Sequence, residues 1–300
     1  MATRLVRAGR AMISVVIVSY RTGPILWESL KHALNAEGVG EVILVDNGNP
    51  DDVSQRLQEM VSQNARLTLI TGHGNIGFAK ACNLGASRAR GEHLLFLNPD
   101  ALLPTEGALD LLRAGLTYGG ETWAAGPKLQ NPDGSEQRGS RRAILTPWNA
   151  FIEAARLYKL MPNHPYFKRF NDHEATPVRK PTAVPCLSGA AFLVPRATWE
   201  ELGGMDERFF LHVEDVDFFL RLSKIGGRAI YVPDAQVIHH KSSSEVDPLF
   251  IERRKKQSLN LYFATHFKDV YPPGFLTLLR AMLWASFAFR SVVFRVRGKA

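Results

Sequence analysis

Glu214, Asp215 and Asp217 place three carboxylates within four residues, and His239-His240 begins 24 residues after Asp215. Like charges this close raise one another's pKa unless they are solvated or engaged in chemistry. Here they lie between Phe209-Phe210-Leu211 and Phe218-Phe219-Leu220, apolar flanks that draw the cluster inward. A half-buried acidic cluster suits a general base or a metal site. It equally suits a capped helix start, because acids stabilise a helix N-terminus. The cluster alone does not choose between these readings.

Further candidates stand where β-branched or apolar runs stop. Ile13–Tyr20 reads as a buried parallel strand ending at Ser19-Tyr20, and Glu41–Gly48 as a second one ending at Asp46-Asn47. Leu67–Thr71 leads into Gly72-His73-Gly74-Asn75-Ile76-Gly77, and His93–Leu97 stops at Asn98-Pro99-Asp100. Helices are expected over Ile25–Leu34, Asp51–Gln63 and Gly77–Arg90. Strand–helix alternation at this spacing predicts an α/β fold with a doubly wound, mostly parallel sheet, in which ligands bind beyond the strands' carboxyl ends. The four endings should therefore line one crevice. Asp46 can accept from a base imide or a ribose hydroxyl. The glycine turn permits close backbone approach to a nucleotide, though it is neither G-x-G-x-x-G nor a P-loop. Asp100 offers a hard oxygen to Mg2+ or Mn2+, which bridge protein carboxylates and diphosphate. Each residue singly also reads as a turn or a helix cap.

From about Ala124 the pattern changes. Gly126–Arg142 is turn-rich and basic, and Pro147–Asp172 holds aromatics and helix formers, as expected of a variable region over a site. Regularity returns at Cys186–Val194, followed by an expected helix at Arg196–Leu202, a helix opened by the acidic cluster and running to about Ile225, and a strand at Arg228–Val232.

The order of these stretches resembles the family-2 glycosyltransferases of the GT-A fold, particularly the bacterial rhamnosyltransferase-like branch. The resemblance rests on Val15–Tyr20, Val45-Asp46-Asn47, Asn75–Asn83, Leu97-Asn98-Pro99-Asp100, Ser188-Gly189-Ala190, Gly203–Phe210, Glu214–Asp217 and His239-His240, spread over about three quarters of the chain. It implies a GT-A-like sheet flanked by helices and inverting transfer of a sugar from a UDP- or dTDP-linked donor. Rhamnose is favoured by the branch. By position, Ser19, Tyr20 and Asp46 match nucleotide-binding residues, and Asn75, Gly77 and Asn83 the segment closing over the nucleotide. Asn98 and Asp100 fall on the D-x-D metal motif, Asp215 on the catalytic base, and His239 on a histidine that completes the metal site in some members. Asn98 departs from the motif's aspartate, and an amide is a weaker, neutral ligand. Glu214 is expected to bind acceptor hydroxyls or to cap the helix, His239 can equally be a polar strand-end residue, and Asp217 reads as structural. Inversion in one displacement needs one carboxylate to take the acceptor proton and a cation for the departing diphosphate.

Length suits this reading: 300 residues, 45% hydrophobic and 22% charged, provide a sizeable core. Two distant cysteines, Cys82 and Cys186, fit a reducing compartment. The net charge of +8 resides in residues 251–300, which hold ten Lys/Arg against two acids. Basic residues there alternate with large aliphatics and aromatics, which favours an anionic membrane surface over nucleic acid. Uncharged runs fall short of the roughly 20 residues of a spanning helix, so an interfacial amphipathic helix is expected. A terminal helix packed on the protein's own core is the alternative. The expected organisation is a disordered leader at 1–12, a nucleotide-sugar half at 13–123, an acceptor and catalytic half at 124–245, and a helical tail at 246–300. The implied place is the cytoplasmic face of the plasma membrane, with a glycan or polyprenyl-diphosphate acceptor. A sugar-phosphate nucleotidyltransferase is the rival enzyme, but Ser19–Gly23 supplies no basic glycine-rich triphosphate loop. A catalytically inactive scaffold is the rival outside enzymes.

Overall fold

The computed structural model describes residues 11–103, 106–120, 123–160, 164–167, 170, 177–241 and 245–297. All of the expected leader except Ala11 and Met12 lies outside them. In chain order the elements are β1 (Ile13–Ser19), α1 (Ile25–Asn35), β2 (Val39–Asp46), α2 (Asp51–Gln63), β3 (Leu67–Ile70), α3 (Phe78–Arg88), β4 (His93–Leu97), β5 (Ala101–Leu102) and α4 (Ala108–Gly115). Then come β6 (Ala124–Gln130), β7 (Arg141–Arg142), α5 (Pro147–Ala154), β8 (Thr182–Val184), β9 (Cys186–Leu187), β10 (Ala191–Pro195), α6 (Arg196–Glu201), α7 (Glu214–Lys224), β11 (Ala229–His239), α8 (Pro248–His266) and α9 (Pro273–Arg297).

Nine strands form the central sheet in the order β3-β2-β1-β4-β10-β6-β11-β5, with β8 also on β11. β3, β2, β1 and β4 are parallel. β10 runs against β4 and β6, and β11 runs parallel to β6. Six strands thus point the same way, and their carboxyl ends share one edge. Both faces are covered, which is why β1 is continuously apolar from Val15 to Val18: Ile13, Val15 and Ile17 join one core with α1 and α4, while Val16 and Val18 join the other with α3, α6 and α7. This is the mostly parallel, helix-flanked sheet that the alternation implied.

Two expectations need correction. Gly126–Gln130, the start of the segment expected to be turn-rich, belongs to a central strand, β6. Its small residues answer to crowding, since a Cβ on Gly126 would stand 2.7 Å from Leu187. The last strand extends to His239 rather than stopping at Val232, through a register shift between Val232 and Gln236. Such an irregularity re-aims a strand without ending it, and here it carries His239 to a position paired with Ala101.

The tail is two helices. α9 folds back along α8, with Leu279 and Leu283 buried and Phe275 packed on Trp148, Phe151 and Tyr271. Its far half is open, with Phe289 71% and Val296 66% exposed. Pro273–Val296 is long and apolar enough to cross a membrane, with mean hydropathy 1.4 in its best window. One continuous helix therefore bridges the charges that divide the sequence into short runs.

Candidate active site

At the carboxyl ends of β1 and β2 the side chains mostly bind one another. Asp46 accepts from the Asn49 backbone N–H and amide, both at 2.9 Å, and from the Ser54 hydroxyl at 2.5 Å. Ser19 is fully buried and bonds Thr22 and Asn49, each at 3.1 Å. Both residues shape the loop after β2. Tyr20 is half-buried, its ring beside Gly48, so a flat apolar face is presented there. Asn47 donates to Asn75 Oδ1 at 3.1 Å and accepts from the Ile76 N–H at 3.0 Å, tying β2 to the glycine turn. Gly77, at φ +87°, lies so close to Phe210 that a Cβ would meet its carbonyl oxygen at 2.8 Å, and the Phe78 N–H donates to that oxygen at 2.7 Å. Asn83 binds the backbone N–H and carbonyl of Met205 at 2.9 and 2.8 Å and accordingly fixes the turn before the acidic cluster.

The pairing of β5 with β11 joins Asp100 to His239. Asp100 Oδ1 lies 3.1 Å from His239 Nε2, and the Asn98 amide nitrogen 3.2 Å from the same atom. Both Asp100 and His239 are buried. Gln137, buried and absent from the sequence reading, sets the ring. Its amide donates to the His239 carbonyl at 2.8 Å and to Asn131 at 3.0 Å, leaving its oxygen to accept from His239 Nδ1 at 2.6 Å. With the proton on Nδ1, the Nε2 lone pair faces a carboxylate oxygen, an arrangement a shared cation relieves and one common among histidines that bind metal. The donors suit a divalent ion completed by substrate oxygens, although no group of three or more His, Cys, Asp or Glu that could hold a metal occurs among the described residues.

Asp215 is the second residue of α7. Its Oδ2 accepts from Arg142 Nη1 and from the Gly189 N–H, both at 2.8 Å, and its Oδ1 from the Val216 N–H at 2.8 Å. A side chain at 189 would crowd this carboxylate, since a Cβ there would lie 3.0 Å from that of Asp215. The next residue, Ala190, accepts from the Asn98 N–H at 2.8 Å, so one short turn spaces the base candidate from the metal candidates. Arg142 also donates to Ser188 at 3.3 Å. Burial works against its charge, and the charge and hydrogen bond of Asp215, together with Cys186 and Glu214, more than offset that. Arg142 sits in the turn-rich segment, where no local signal in the sequence separates it from its basic neighbours.

Glu214 is buried and its Oε2 has no hydrogen-bond partner among the described residues. Burial, then the Asp215 charge, pushes its pKa up to about 8. Asp217 is structural as expected, held by Arg221 at 2.7 Å and His266 of α8 at 2.6 Å.

A buried base candidate, a carboxylate–histidine pair and a glycine turn share the carboxyl edge of the sheet. The model of the glycosyl transferase family 2 domain matches residues 14–189, more than half of the chain. The chain belongs to glycosyl transferase family 2. It is an inverting glycosyltransferase of the GT-A fold. A second model, glycosyl transferase family group 2, matches residues 147–299.

Among curated proteins it is 30% identical, over 78% of this chain and 77% of the other, to an N-acetylglucosaminyl-diphospho-decaprenol L-rhamnosyltransferase of Mycobacterium tuberculosis. A shorter match, 37% identical over 20% of this chain and 22% of the other, is to the rhamnosyltransferase WbbL of Escherichia coli. Among solved structures, a mannosyltransferase of Pyrobaculum calidifontis in complex with GDP-Man and Mn2+ superposes with TM-score 0.58 at 18% identity, over 92% of this glycosyltransferase and 69% of that chain. GalNAc-T7 with UDP, GalNAc and Mn2+ gives TM-score 0.59 at 18% identity, over 84% and 47%. At such identity these two speak to the fold.

Proposed function

We propose that this glycosyltransferase moves rhamnose from a dTDP- or UDP-linked donor, with inversion, to a sugar hydroxyl on a polyprenyl-diphosphate acceptor at the inner face of the plasma membrane, in the synthesis of a surface polysaccharide. The observation that carries the reading is the setting of Asp215. It is a buried carboxylate oriented by Arg142, Gly189 and Val216, one short turn from Asp100 and His239. Asp215 takes the proton of the acceptor hydroxyl. Tyr20 packs against the base of the nucleotide, Asp46, Ser19 and Asn75 shape the loops that receive it, and Gly77 lets the glycine turn approach closely. Asn83 holds the turn that delivers the acidic cluster. Asp100 and His239, with Asn98 beside them, would hold a divalent cation, which would supply countercharge for the departing diphosphate.

The 30% identity to an enzyme named for rhamnose transfer to a diphospho-decaprenol sugar supports this donor and acceptor class. Membrane contact is supported by α9. The stretch from Ser291 to Arg297, beyond the Arg290–Glu252 pair that ties α9 to α8, measures about 10 Å at 1.5 Å per residue, about a third of a hydrocarbon core. That length suits insertion into one leaflet, with the packed half of α9 remaining on the protein.

Full-length protein supplied with dTDP-rhamnose, UDP-sugars and a short-chain prenyl-diphosphate N-acetylglucosamine should yield a rhamnosylated product by mass spectrometry. Transfer from another sugar nucleotide only would replace the donor. Transfer from none would overturn the reading.

A further inference from the structure

The loop Phe210–Val213 is fastened on two sides. Phe78 of α3 donates to its Phe210 carbonyl at 2.7 Å, and Ser258 of α8 donates to its Leu211 carbonyl at 2.9 Å. Arg254 of α8 lies over the Phe210 ring at 4.2 Å. Between these fastenings His212 and Val213 both adopt left-handed backbone, at φ +66° and +74°. That conformation is costly for non-glycine residues, for a β-branched valine above all, and such strain concentrates at ligand sites. The His212 ring lies within reach of the charges of Asp215 on α7 and of Lys255 and Glu252 on α8, and its Nε2 is buried without a hydrogen-bond partner among the described residues.

The charges around the His212 ring are unbalanced. Asp215 is paired with Arg142, and Glu252 lies 3.7 Å from Lys256 and 3.1 Å from Arg290. Lys255, exposed on α8, has no ion pair among the described residues. Burial and the nearby Lys255 charge lower the His212 pKa to about 4, so the ring stays neutral at physiological pH and offers an N–H rather than a second cation. The Arg290–Glu252 pair also fixes the open, apolar end of α9 beside the first turn of α8, three residues from Lys255.

On the reading proposed above, we propose that Lys255 and His212 form the phosphate-recognising part of the acceptor site. The order of groups along a lipid-linked sugar then matches the order of groups on the protein: lipid against the open half of α9, diphosphate at Lys255 and His212, sugar hydroxyl at Asp215. Lys255 supplies the charge, and His212 a directed hydrogen bond from an atom that otherwise lacks a partner. Charge-assisted bonds of this kind are the stronger class.

The test uses full-length protein without vesicles, dTDP-rhamnose, and two soluble acceptors: N-acetylglucosamine joined through diphosphate to a short prenyl chain, and the same sugar on an alkyl chain without phosphate. Lys255→Ala should raise KM for the diphosphate acceptor about tenfold or more, leave donor KM and the phosphate-free acceptor within about twofold, and be restored by Lys255→Arg. His212→Gln should shift the same acceptor in the same direction. An unchanged KM ratio between the two acceptors in Lys255→Ala overturns the proposal. So does an effect confined to sedimentation with anionic vesicles, which would make Lys255 a general lipid contact. If wild-type protein rhamnosylates neither acceptor, the donor and acceptor reading fails while the site remains testable. Calorimetric titration with the short prenyl diphosphate alone should then show binding about tenfold weaker in Lys255→Ala, and equal binding overturns the site.

Discussion

Side by side at the start of α7, Glu214 and Asp215 are both carboxylic acids, and their surroundings give them different tasks. Asp215 receives three donors, one of them Arg142, and is held as the acceptor of a proton. Glu214 has a buried oxygen without a partner and a pKa pushed up to about 8 from 4.5 by burial and by the Asp215 charge. Because the folded state keeps a proton that the unfolded chain releases above about pH 4.5, this residue makes stability fall as pH rises from about 4.5 to 8. Glu214→Gln should remove that part of the slope and melt higher than wild type at pH 8, read by thermal unfolding between pH 5 and 8. An unchanged slope would show that Glu214 is ionised in the fold. Asp215, Asp100 and His239 were legible in the sequence because each ends or opens a regular element. Arg142 and Gln137 were not, since their roles exist only through contacts with residues 73 and 102 positions away. Asn83 was legible as a position, while the bonds of its amide to the Met205 backbone were not.

Among the elements, the parallel strands were plain in the sequence because burial on both faces makes them continuously apolar. β6 was hidden for the opposite reason. Crowding by Leu187 demands Gly126 in a central strand, and Gly-Pro reads as a turn. The irregularity in β11 likewise concealed that His239 belongs to the sheet. The glycine turn before α3 is joined to the loop before α7 at Gly77, where left-handed backbone and the Phe210 carbonyl exclude a side chain together. Gly77→Ala should therefore cost about 1–2 kcal/mol from backbone conformation alone, with more from the clash. The two loops should separate, raising KM for the donor. Wild-type melting temperature and donor KM in this variant would show that the contact is dispensable.

Seen as a whole, the molecule gathers its positive charge and its open apolar surface at one end, in α8 and the far half of α9. Leu279 and Leu283 are buried while Phe289 and Val292 are exposed, so α9 serves the core first and the outside second. Truncation after Phe287 should leave a protein with near wild-type melting temperature that no longer sediments with anionic vesicles at low salt. Truncation before Phe275 should destabilise it, since losing even one buried leucine side chain typically costs about 2–5 kcal/mol. Equal stability of the two truncations, or vesicle binding by the shorter tail, would contradict this division of the helix. The central claim is that Asp215 takes the acceptor's proton, and the rate of sugar transfer by Asp215→Asn, with donor affinity measured alongside, tests it most directly. The account expects transfer to fall by about 10²–10⁴-fold with donor affinity within about twofold of wild type. A rate within tenfold of wild type would contradict it.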